Sequence, residues 1–257
     1  MKKKLGYLSQ FYIYHYLKLL FRVSLFVSTL VLYIINRVNE SPLPFGEAGE
    51  HPLFWGFWWV LLVAGMILRL FPTKFETIGC QKQLKRNYIP TGEDKPKMTS
   101  AKATLLFAVL WIAVNLIFGI LYFADIIDAG MLMLITFAYG ICDIVCILFF
   151  CPIRDIFLKN KCCTDCRIYN WDYAMMFTPF VFIPHFYTWS LLALSLVVLA
   201  VWEIMFKLHP ERFAKNTNAS LACQNCKERP CRHKKRIERI LKSGKDKLVN
   251  LSWWKEK

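Results

Sequence analysis

Four long apolar runs dominate the first 150 positions: Leu17–Asn36, Leu53–Phe71, Thr104–Ala124 and Met131–Phe150. A helix needs about 20 apolar residues to cross the hydrocarbon core of a bilayer, so each run predicts one transmembrane helix. Met1-Lys2-Lys3-Lys4 has the charge of a signal peptide's first region. The apolar run begins late, however, and no small-residue cleavage site follows it, so the segment is expected to be retained.

A fifth apolar stretch, Tyr173–Phe206, is too long for one span and short for two. Charge argues for two. The loop between the second and third runs carries Lys74, Lys82, Lys85, Arg86, Lys95, Lys97 and Lys102 against Glu76, Glu93 and Asp94. The Arg37–Pro52 loop holds a single Arg against Glu40, Glu47 and Glu50, and the turn Asp125–Gly130 has no basic residue. Basic loops stay inside, which puts the N-terminus and the Lys74–Lys102 loop in the cytoplasm, with Glu47 and Asp128 outside. The fourth run then returns at Cys151-Pro152, ahead of Arg154, Lys159, Lys161 and Arg167. From Lys207 to Lys257 there are 15 Lys+Arg against 5 Asp+Glu, so a single crossing would leave the most basic segment outside. A hairpin restores the rule, with one arm from about Ile168 to Pro184 and the other about Phe186–Phe206. The first arm rises only about 24 Å and contains Pro179 and Pro184, so it is expected to be kinked, broken or re-entrant, its freed carbonyls shielded by protein. One long kinked span with an external tail is the alternative.

Composition agrees. The 257 residues are 56% hydrophobic and 16% aromatic, with mean hydropathy +0.35. These values place the chain among membrane proteins and exclude disordered, collagen-like and small disulfide-scaffold classes. The net charge of +15 comes from 33 Lys+Arg and 18 Asp+Glu, concentrated between and after the apolar runs, where it faces anionic lipid. Nucleic acid is the weaker partner, because no base-stacking aromatics are interleaved with the cations. The segment Arg232–Ser243 has Ile237, Ile240 and Leu241 at helical spacing, and Trp253 and Trp254 lie beyond it, as in an amphipathic helix resting on anionic headgroups.

The ten cysteines fall into two kinds. Cys80, Cys142 and Cys146 read as small buried or incidental thiols. The other seven form two groups at the cytoplasmic edge: Cys151, Cys162, Cys163 and Cys166 before the hairpin, and Cys223, Cys226 and Cys231 after it. Each group contains a Cys-x-x-Cys pair, Cys163/Cys166 and Cys223/Cys226. Two such turns, brought together by a hairpin, supply the four sulfurs of a tetrahedral metal site. Flanking Lys and Arg favour thiolates, and Cys151, Cys162, Cys231 and His233 are spare ligands. Zinc leads; a single iron or an iron–sulfur cluster is the alternative. Disulfides compete only if the tail is external.

Among ionisable groups inside apolar runs, Asp143, Glu203 and the nearby His185 are candidates for a proton or quinone-headgroup site. The competing readings are an ion pair for Asp143, an interfacial position for Glu203 and a water-facing His185. Asn170-Trp171-Asp172 reads as a charged turn with a tryptophan anchor. Phosphate-loop, nucleophile-elbow and zinc-protease motifs are absent from the sequence.

The expected protein is therefore an all-α, polytopic membrane protein with about six membrane segments and a small cytoplasmic metal knot. Its parts are residues 1–150 with four helices, a Cys-rich loop 151–167, the hairpin 168–206 and the basic tail 207–257. The expected location is a membrane of bacterial cytoplasmic type, with both termini inside. Two functions fit: a zinc-stapled scaffold or complex subunit, and an electron-transfer protein using iron and a quinone. Thiol–disulfide exchange and transport are weaker readings.

Overall fold

The computed structural model describes residues 2–39, 52–71, 77–98, 100–158, 166–226, 231, 234, 239 and 240, and the side chains of the first helix from Tyr12 onward. Cys162, Cys163 and His233 lie outside the described residues, as do Glu40, Glu47, Glu50 and most of the proposed amphipathic tail.

The described residues are helical, with no strand and one isolated bridge, Pro90 to Asn218. Five helices are long and apolar enough to cross a membrane. They are α1 (Lys2–Val38), α2 (Pro52–Leu70), α4 (Ala101–Phe123), α5 (Ala129–Leu148) and α7 (Phe186–Leu208); α3 (Ile78–Gln81) and α6 (Asp172–Phe177) are short. Each of the four apolar runs seen in the sequence lies on one of the first four long helices. The apolar surface of α4 is exposed over much of the helix, as at Leu105, Leu106, Ile112, Leu116 and Ile120, which suits a lipid-facing helix and not a soluble one.

Helix α1 packs along α5, and α2 along α7. At one end Tyr33 of α1 donates to Asp128 Oδ2 at 3.0 Å, while Asp128 Oδ1 caps α5 by accepting from Met131 N at 2.8 Å. At the opposite end α2, α5 and α7 finish and α4 begins. This will be called the cysteine end.

The stretch between Asp172 and Phe182 forms the centre of the bundle. It consists of α6 followed without a break by a 3-10 segment, Thr178–Phe182. Tyr173, Met176, Phe177 and Phe180 are almost wholly buried there. Six α and five 3-10 residues rise together about 19 Å, less than a bilayer core. Pro179 falls where the α-turns of α6 tighten into the 3-10 segment, a change that fits the N–H it lacks. The surrounding helices make room with glycine: a Cβ on Gly140 would meet the Met176 sulfur at 2.9 Å, and one on Gly119 would collide with the Phe182 ring. After Pro184 the chain reverses at His185, whose Nδ1 accepts from Tyr187 N at 3.4 Å as the cap of α7. His185 is thus a helix cap, and the two arms run antiparallel as a hairpin.

The hairpin returns the chain to the cysteine end. Arg167 pairs with Glu203 through both guanidinium nitrogens, and Trp171 Nε1 donates to Glu203 at 2.8 Å. Glu203 is therefore tied into the turn before α6 and does not simply reach an interface. Segment 210–222 then docks on the loop after α2. Ala219 N donates to Ile89 O at 2.7 Å, and Asn216 Nδ2 donates to Glu93 Oε2 at 2.8 Å and to Lys95 O at 2.7 Å.

Candidate functional site

At the cysteine end a cavity of about 310 Å³ lies between α5, α6 and the loop residues that join them, with Trp111 of α4 as one wall. Its lining brings together four cysteines from three stretches of chain: Cys142 and Cys146 on α5, Cys151 just past its end, and Cys166 before α6. Cys142 and Cys146 share a face because they are one helical turn apart. The Cys146 and Cys151 thiols are close enough to interact across the break at the end of α5. Cys166 is buried and Cys142 is exposed.

Two carboxylates, Asp143 and Asp172, also line the cavity. Each is backed by an arginine from another helix. Arg22 Nη1 on α1 donates to Asp143 Oδ2 at 2.9 Å and to Gly140 O at 2.5 Å. Arg69 Nη2, at the end of α2, donates to Asp172 Oδ2 at 2.5 Å, and Arg69 also reaches the Cys80 thiol. The ion-pair reading of Asp143 is the arrangement found. Asp172 departs from the sequence reading, which gave it a charged turn: its side chain is 2% exposed and belongs to the bundle interior. Its Oδ1 and the Tyr139 hydroxyl are buried with no hydrogen-bond partner among the described residues.

A third buried cation closes the site from the tail side. Lys82 Nζ donates to Cys166 O at 2.9 Å and lies over the rings of Trp202 and Phe213. Arg212 Nη1 donates to Gln83 O at 3.2 Å. Lys234, from the C-terminal stretch, donates to Cys146 O at 2.6 Å. Loop, tail and helix end therefore meet around the same few residues.

For the expected metal ligands the outcome is divided. Cys151 and Cys166 face the cavity, whereas Cys223 and Cys231 are exposed and Cys226 is half-buried. Lys215 Nζ donates to Cys223 Sγ at 3.5 Å, in the turn that follows the docked segment. Among the described residues no three Cys, His, Asp or Glu side chains are placed to hold one ion. Sequence reasoning set Cys142 and Cys146 apart from the site, yet both line it. It also passed over Arg22, Arg69 and Tyr139 and read Lys82 only as a loop charge. For Arg22 and Arg69 the available signal was a basic residue inside an apolar run, the same criterion that singled out Asp143.

The chain matches no known protein family, no curated protein and no solved structure.

Proposed function

We propose that this chain is a scaffold or subunit of a membrane complex, with a cysteine-ligated metal centre stapling the C-terminal hairpin at the cytoplasmic end of the bundle. Zinc is the first candidate. The observation that carries the reading is the return of both cysteine-bearing stretches to one end: Lys234 holds Cys146 O, Lys82 holds Cys166 O, and Arg167 holds Glu203. Thiolates from Cys163, Cys166, Cys223 and Cys226, with Cys151, Cys162, Cys231 and His233 as further ligands, suit zinc or iron by their softness. In the same proposal the two arms of the hairpin count as the fifth and sixth membrane segments. Both termini then lie in the cytoplasm, in a membrane of bacterial cytoplasmic type, and the basic tail rests on anionic headgroups.

Elemental analysis of protein purified anaerobically without chelators tests this. About one zinc per four thiolates is expected, with Cys163→Ser, Cys166→Ser, Cys223→Ser and Cys226→Ser each lowering it and Cys80→Ser sparing it. Native protein free of metal would overturn the centre. If Cys163→Ser abolishes binding and Cys223→Ser does not, the centre is not shared across the hairpin.

The second reading is electron transfer through iron or an iron–sulfur cluster. The cavity favours it, because a structural zinc site is closed and needs no adjoining space of 310 Å³. Brown, anaerobically purified protein would select iron–sulfur over colourless zinc.

A further inference from the structure

We propose that the cavity binds an uncharged, planar aromatic molecule bearing hydroxyl donors, a quinol taken up from the bilayer. The proposal rests on the membrane reading and on no metal. At about 310 Å³ the cavity falls at the lower end of the roughly 300–1,000 Å³ typical of small-molecule sites, enough for a ring with the head of its tail.

The lining argues for an uncharged occupant, because apart from Asp143 and Asp172 it consists of aromatic, aliphatic, thioether and thiol side chains. Asp143 and Asp172 are each matched by one arginine, Arg22 and Arg69, at 2.9 and 2.5 Å. A free cation would find its carboxylates already neutralised, and an anion such as a phosphate would meet two carboxylates. Among the side chains that line the cavity, two polar atoms remain unsatisfied. Asp172 Oδ1, an acceptor, and the Tyr139 hydroxyl, a donor and acceptor, are buried without partners among the described residues. A buried polar atom without a partner is costly, so a ligand that supplies one is favoured at this spot. A quinol hydroxyl donates to the carboxylate oxygen and accepts from the tyrosine; the corresponding quinone has no donor to offer Asp172.

The rest of the lining suits an aromatic ring. Trp111 and Tyr139 stand with ring centroids 4.5 Å apart at one side, and Tyr169, Met175 and Met176 complete the wall. Rings pack well against other rings and against thioether and thiol sulfur. The route is set by α4 and α5, which are in contact over little of their length because the 3-10 segment, packed on both, lies between them. Cys142, a cavity residue that is exposed on a membrane-length helix, marks the mouth toward lipid.

Calorimetric titration of the full chain in nonionic detergent, under argon, provides the test. The probe is a decyl-substituted benzoquinol whose ring positions are all occupied, so that cysteine thiols cannot add to it. Saturable binding of one molecule per chain is expected, about tenfold tighter for quinol than for its quinone, as for the loss of one hydrogen bond to a charged acceptor. Cys142→Trp, which fills the mouth at an exposed position, should weaken quinol binding at least tenfold and leave thermal unfolding unchanged. Tyr139→Phe should weaken it several-fold. Absence of saturable binding, equal affinity for quinol and quinone, or binding indifferent to Cys142→Trp would each overturn the proposal. Metal content measured on the same samples keeps the two ideas apart: quinol binding by metal-free protein removes the metal centre and leaves this site standing.

Discussion

Asp172 and Arg69 show how much depends on single residues here. Both are almost fully excluded from solvent, with side-chain exposures of 2% and 3%. Taking two charges out of water costs several kcal/mol per ion even in real proteins, and their mutual attraction offsets this only when both are present. Asp172→Ala leaves the Arg69 guanidinium without its carboxylate in the bundle interior. A loss of about 3–5 kcal/mol is expected, read as a lower denaturation midpoint in detergent. The paired replacement Arg69→Met with Asp172→Leu removes both charges and should recover most of that loss. If Asp172→Ala alone is neutral, the pair is not held as described. The same logic applies to Arg22 and Asp143, although Asp143 is 21% exposed and its share of the desolvation cost is smaller.

At the scale of elements, the central hairpin decides the architecture, and its first arm is short because neighbouring helices replace lipid around it. Backbone groups released where the α-turns tighten into 3-10 turns are shielded by α4, α5 and α7, which is the condition for irregular backbone at membrane depth. Close packing is the cost. Gly119→Ala places a methyl in the Phe182 ring and should lower stability by about 1–3 kcal/mol, whereas Gly56→Ala, whose new methyl would find Tyr187 OH at 3.9 Å, should change the melting temperature little. Equal effects at the two glycines would argue against the tight seat of Phe182. Part of this element was legible: the basic tail called for a chain that returns, and Pro179 and Pro184 announced a broken arm. The 3-10 geometry and the glycine seats were not, because they arise from contacts between helices far apart in sequence. The site divides in the same way. Cys-x-x-Cys spacing is a local signal and was visible, while Cys142 and Cys146, spaced like any buried helix face, acquire meaning only when α6 is laid against α5. Arg22 and Arg69 were hidden because a basic residue near the end of an apolar run reads first as an edge charge.

For the whole molecule, the distribution of charge and the docking of the loops bear on the proposed orientation. The loop after α2 and the segment after α7 clasp each other through Ala219, Asn216 and the Pro90–Asn218 bridge, so whatever side holds one holds both. These two stretches are also the ones rich in Lys and Arg, and basic loops of this length stay on the cytoplasmic side. The turn at Asp125–Asp128, which carries two carboxylates and no cation, lies at the far end of α4 and α5. Alkaline phosphatase fused after Asp128 or after Pro184 should therefore be active in a bacterial host, because the proposed topology puts both positions on the outer side. Fused after Lys97 or after Asn218 it should be inactive, and a cytoplasm-dependent fluorescent protein at the same four positions should give the inverse pattern. The fusion after Asn218 is the discriminating one. If it is active while that after Lys97 is inactive, the two docked stretches lie on opposite sides of the membrane, the hairpin does not return, and the cysteines at positions 166 and 223 cannot serve one centre.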